Sequence, residues 1–153
     1  MKKNICFIML LIFSLTLISC SHIEDINGPD DYSLATFKDE DLLGGIHSCS
    51  EMGVIESSSK ILDKATGTYK VSKISGMTEI EEYRSNKDII TFTIEVKCEA
   101  GNALVVVISN NEIIKKIEAN QSLTFEVSNN DESYRIFLVG ESAKVTVKYN
   151  IES

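Results

Sequence analysis

Residues 44–53, GGIHSCSEMG, hold the side chains best equipped for covalent chemistry, because His47 and Cys49 stand two apart and share one side of an extended chain. A thiol beside an imidazole is the pairing of a cysteine nucleophile with its base. Catalytic pairs of this kind are usually assembled from distant parts of a chain, and no glycine-flanked cysteine signature surrounds Cys49, so a hydrolase or thiol-redox centre is the weaker reading. His47, Cys49 and Cys98 with Glu51 would make an unusual zinc set. Asp30, Asp31, Asp39, Glu40 and Asp41 lack the alternation and central glycine of a calcium loop and read as solvated charge. Acids number 23 in all, yet no pair stands out as a glycosidase couple. The sequence therefore leads to no expected cofactor, no metal and no enzyme.

The remaining chemistry-bearing residue is Cys20. Before it, Lys2 and Lys3 precede an apolar run from Ile5 to Ile18 broken only by Ser14 and Thr16. A helix needs roughly 20 apolar residues to cross a bilayer, and this run is shorter, so it reads as a secretory leader. Leu17-Ile18-Ser19-Cys20 resembles the lipobox of bacterial lipoproteins. The resemblance implies that residues 1–19 are a signal peptide, that the chain is cut before Cys20, and that the Cys20 thiol carries a diacylglyceryl group. At about 0.8 kcal/mol per buried CH₂, two or more acyl chains make a stable anchor where one does not. The implied location is the cell envelope, lipid-anchored at the outer membrane or on the outer face of the cell membrane according to the host. The membrane is then the first expected partner, with an envelope protein or a glycan as the second.

The elements that would position these residues are legible in part. Residues 20–45 are acidic, punctuated by Gly28-Pro29 and Gly44-Gly45, and hold no sustained period, as in a solvated tether that also contains His22 and Tyr32. The domain expected at 46–153 begins with ESSSKILDK, read as a short helix over Glu56 to Lys64. After it, apolar residues recur at period two: Ile90, Phe92, Ile94, Val96 and Cys98; Leu123, Phe125 and Val127; Val145, Val147, Tyr149 and Ile151. Further strands are expected over Thr68 to Ile74, Glu79 to Arg84, Ala103 to Ile108, Glu112 to Ile117 and Tyr134 to Val139. Asn110-Asn111 suits a two-residue hairpin turn with positive φ. About eight strands with no room for crossover helices indicate an all-β, antiparallel sandwich or jelly-roll-like fold.

GTYKVSKISG and SYRIFLVGESAKVTVKY resemble the small β-sandwich modules of secreted bacterial proteins, such as the jelly-roll domains beside extracellular peptidases. Such modules commonly bind or stabilise rather than catalyse. With the leader gone and Cys20 lipidated, Cys49 and Cys98 are the two cysteines left in an oxidising compartment, where they either form a disulfide or remain small buried thiols. The formal charge of −8 becomes −10 without Lys2 and Lys3, leaving 13 basic against 23 acidic residues. Such a chain repels phosphate backbones, so no nucleic acid is expected. The absence of tryptophan disfavours sugar stacking and leaves Tyr32 and Tyr83 as candidate exposed aromatics beside a sheet edge.

Overall fold

Wherever apolar residues alternate, the chain is strand. The structure is a computed structural model; it describes residues 38–44, 49–129 and 132–153, all inside the compact unit Asp31–Ser153. Among the described residues one helix, α1 (Asp39–Gly44), is followed by seven strands: β1 (Ser50–Met52), β2 (Ile55–Ile61), β3 (Lys64–Arg84), β4 (Ile89–Ser109), β5 (Glu112–Glu118), β6 (Ser122–Ser128) and β7 (Ser133–Glu152). Every pairing is antiparallel. The fold is all-β and sandwich-like.

Three strands of about twenty residues organise it, in the order β3-β7-β4. Each bends at the same level. Register shifts fall between Val71 and Gly76 on β3 and between Cys98 and Asn102 on β4, where they oppose Gly140 to Val145 of β7. Gly101 sits in this corner at φ +71°, and a Cβ there would lie 2.5 Å from the carbonyl oxygens of Glu141 and Ser142. Such bulges re-aim a strand without ending it. The bend divides one sheet into two facing layers. The first holds β2, the N-terminal half of β3, the C-terminal half of β7, the N-terminal half of β4, and β6. The second holds the other halves of the long strands, with β5 at its edge.

Between the layers lies the main core. Val71, Ile94, Val147 and Ile151 from one side meet Val105, Ile117, Ile136 and Leu138 from the other. Phe92 stacks on Phe125 with ring centroids 5.2 Å apart and meets Tyr134 at 5.6 Å. Pairs of this kind add about 0.5–1.5 kcal/mol each beyond their buried area. The second layer is covered on its other face as well, where Leu42 and Leu43 of α1 pack with Met77, Val106, Phe137 and Val139. Burial on both faces explains why Ala103 to Ile108 reads as a continuous apolar run and not as an alternating one.

Several expectations are corrected. Glu56 to Lys64 is not helical: Ile55 to Ile61 pairs with Lys70 to Lys64, and the chain turns at Leu62-Asp63. A single turn rich in serine has little helical preference, and pairing with β3 overrides it. Asp39–Gly44, assigned to the tether, is helix α1, capped by an Asp41 carboxylate that accepts the Lys38 N–H at 2.9 Å. Three pairs of expected strands are the two arms of β3, β4 and β7, which reduces eight expected strands to five, and β1 and β2, not expected as strands, bring the observed number to seven. Asn110 and Asn111 turn as expected, at φ 48° and 61°. Expectations concerning the leader, Cys20, His22, Tyr32 and His47 lie outside the described residues. No helix among the described residues is long and apolar enough to cross a membrane.

Candidate functional site

The polar chemistry of the domain gathers where β2 forms the edge of the first layer. β1 and β2 pair with β3 in one continuous register, Ser50↔Ser75 through Ile61↔Lys64, interrupted at Gly53-Val54. All seven residues of β2 are exposed, and among the described residues no strand pairs with its outer side. Its inward positions are Glu56, Ser58 and Lys60, opposite Tyr69, Gly67 and Ala65. An inward face of this composition cannot join an apolar core. It meets a polar cluster instead.

Glu81 stands at the centre of that cluster. It lies beside the register shift between Glu79 and Glu81 on β3, and its side chain is only 4% exposed. Its carboxylate pairs with Lys60 Nζ at 2.5 Å and accepts the Tyr149 hydroxyl at 2.7 Å. Lys60 also donates to the Glu82 carbonyl at 2.7 Å, tying β2 to the bare edge of the second layer. A buried carboxylate is tolerable only when paired and hydrogen-bonded, and here it is both. Burial raises the Tyr149 hydroxyl above its ordinary range, and the hydrogen bond to Glu81 and its charge act in the same direction.

Gly67 makes this arrangement possible, since a Cβ on it would fall 2.2 Å from Tyr149 Cζ and Oη. The ring lies across the space a side chain would fill. Outside it, Ser57, Ser58, Ser59, Thr66 and Thr68 line a shallow cleft of about 380 Å³ floored by Gly67 and Tyr149.

A second cluster surrounds Cys49. Tyr69 donates to Glu51 Oε1 at 2.8 Å, and the same carboxylate accepts a hydrogen bond from the Cys49 thiol. Burial first, then the charge of Glu51 and this hydrogen bond, pushes the thiol up to about 12. A nucleophilic cysteine requires the opposite shift, because the thiolate is the reactive form. Cys98 is half-buried at the bend of β4 and donates to the Ala100 carbonyl at 3.1 Å. Cys49 and Cys98, expected either as a disulfide or as free thiols, are both free in the structure. β3 and β7 lie between their strands, and three steps of about 4.8 Å along the sheet exceed a disulfide's reach. Among the described residues no three metal-ligating side chains converge.

Tyr83, expected as an exposed aromatic, is buried at 5% exposure with its hydroxyl on Ser153 Oγ at 2.8 Å. The second arm of β3 turns it inward. Tyr69, Tyr134 and Tyr149 are buried as their alternation indicates. All seven aromatic residues among those described are buried or half-buried.

No family model matches the chain, and no curated protein matches it. Among solved structures it is similar to a chain of the disulfide-linked pili of Bacillus endospore appendages, at 14% identity over 68% of this chain and 91% of that one, with a TM-score of 0.42. It is similar also to the CBM22-1 xylan-binding domain of Paenibacillus barcinonensis Xyn10C, at 10% identity over 68% and 84% of the two chains and a TM-score of 0.34. At identities and scores this low, no ligand or mode of assembly passes from either protein to this chain.

Proposed function

We propose that this chain is a lipid-anchored envelope protein whose β-sandwich works by contact, as a non-enzymatic binding or structural module, with the open edge of β2 as its contact surface. The observation that carries the reading is β2 itself. It is a seven-residue strand, exposed throughout, that offers unpaired backbone groups along one side. Such an edge adds a further strand readily, and natural sheets normally blunt it with proline, a bulge or charged side chains, inward-pointing ones included. β2 has no proline and no register shift, and the charge of its one lysine is satisfied inside the sandwich by Glu81, which leaves the outward backbone groups open.

The location rests on the leader and on the likeness of Leu17-Ile18-Ser19-Cys20 to a lipobox. Against catalysis stands the thiol of Cys49, held protonated beside a carboxylate already engaged by Tyr69. Against a stacking glycan site stands the full or partial burial of every aromatic among the described residues. Metabolic labelling with a fatty-acid analogue tests the anchor. Wild type should incorporate label and partition into membranes. Cys20→Ala should accumulate as unlabelled precursor, and continued labelling of that variant would remove the anchor from the account.

A further inference from the structure

The edge strand is chemically palindromic. Val54-Ile55-Glu56-Ser57-Ser58-Ser59-Lys60-Ile61-Leu62, read against itself in reverse and centred on Ser58, sets Ile55 opposite Ile61, Glu56 opposite Lys60 and Ser57 opposite Ser59. Val54 and Leu62 continue the match at its ends. Of the six exposed large hydrophobic residues among those described, four belong to this stretch: Leu62 at 98%, Ile61 at 68%, Ile55 at 65% and Val54 at 42%. We propose that β2 pairs antiparallel with β2 of a second copy of this chain, across a two-fold axis at Ser58, joining two first layers into one continuous sheet. The proposal rests on the reading of β2 as the contact edge and names its occupant.

Backbone geometry permits this register. Ile61 and Lys64 close a two-residue hairpin, so they form a hydrogen-bonded pair, and by alternation Ser59, Ser57 and Ile55 also spend their backbone groups on β3. Glu56, Ser58 and Lys60 therefore aim theirs at the open side. In the centred register Ser58 meets Ser58, and Glu56 meets Lys60 twice, giving about six main-chain hydrogen bonds. Side chains agree with the backbone. On the outer face the isoleucines cover one another, and on the inner face Glu56, which forms no ion pair among the described residues, meets a lysine. Sliding the pairing by two residues would set one charge opposite serine and the other opposite Val54 or Leu62, and would break both isoleucine pairs. The sequence thus specifies one register, and one that is self-complementary as a two-fold interface must be. An edge contact alone is smaller than the roughly 1,200 Å² of a stable interface, so association in solution is weak and concentration-dependent.

Zero-length carbodiimide coupling of the purified full chain, mixed from ¹⁴N- and ¹⁵N-labelled halves, tests this. Within one strand Glu56 and Lys60 are about 13 Å apart and cannot be joined directly, whereas Lys60 and Glu81 of one chain, 2.5 Å apart, provide an internal control. The expected product is a Glu56–Lys60 cross-link carrying mixed isotopes, its yield rising with protein concentration. Ser58→Pro deletes an outward N–H that the fold does not use. It should retain the Lys60–Glu81 cross-link and lose the mixed product at least tenfold. Glu56→Lys sets lysine against lysine and should shift sedimentation to monomer by a similar factor, which keeps the test sharp if the proline variant fails to fold. A wild-type sample giving only the internal cross-link overturns the proposal, as does a mixed product unchanged in Ser58→Pro. Coupling of Glu56 or Lys60 to a different protein overturns the second copy and leaves β2 as the contact edge. An edge that couples to nothing, in solution and on envelope membranes, overturns both.

Discussion

Glu81 is the residue on which the open side of the sandwich depends. Its carboxylate lies where an apolar side chain would ordinarily sit, and Lys60 and Tyr149 stabilise it there. Tyr149→Phe keeps the ring over Gly67 and removes one partner, so it should cost about 1–2 kcal/mol in urea unfolding at neutral pH. The cost should depend on pH in a defined direction. The folded Tyr149 hydroxyl ionises above its ordinary value of 10, so its contribution is complete below pH 10 and fades as pH climbs from there through the folded value. The gap between wild type and Tyr149→Phe should therefore narrow above pH 10, and a constant gap would contradict the Glu81 link. In the sequence, Tyr149 was legible as an inward strand residue. Its partnership with Glu81 was not, because the two lie 68 positions apart and meet only through the bend of β3.

At the scale of elements, the strands with one buried face were read directly, since Ile90 to Cys98 and Val145 to Ile151 alternate without a break. β2 was missed because an edge strand exposed on both faces has no alternation to show, and Glu56-Ser57-Ser58-Ser59-Lys60 is polar throughout. α1 was missed because six residues are too few to establish a period. The corner at Gly140-Glu141-Ser142 has the composition of a turn, and composition does not separate a turn from a bulge. Gly67 provides the element-scale test. Gly67→Ala drives a methyl into the Tyr149 ring and should destabilise by about 1–3 kcal/mol, whereas Gly67→Ala combined with Tyr149→Leu should recover part of the loss. Thermal melting of these variants and of Tyr149→Leu alone separates the steric effect from the lost Glu81 bond, and a Gly67→Ala melting temperature equal to that of wild type would show that the ring does not occupy that space.

For the whole molecule, three long strands bent at one level make two layers from one sheet, leaving the first layer with an open strand on its β2 side. Mixed charge covers much of the outer surface, with ion pairs such as Lys144–Glu99 at 2.5 Å and Lys64–Glu152 at 2.6 Å between exposed side chains. Pairs like these contribute little to stability, and they form a solvated face with no apparent specificity. The open edge of β2 is the contact surface proposed for this chain. Hydrogen exchange along residues 55–61 addresses that claim most directly, comparing dilute chain with protein recovered from intact envelope membranes. In dilute solution the amides of Ser57, Ser59 and Ile61 should be protected by β3 while those of Glu56, Ser58 and Lys60 exchange rapidly; on membranes both sets should be protected. Rapid exchange at Glu56, Ser58 and Lys60 in the envelope-held protein would contradict a contact role for the β2 edge.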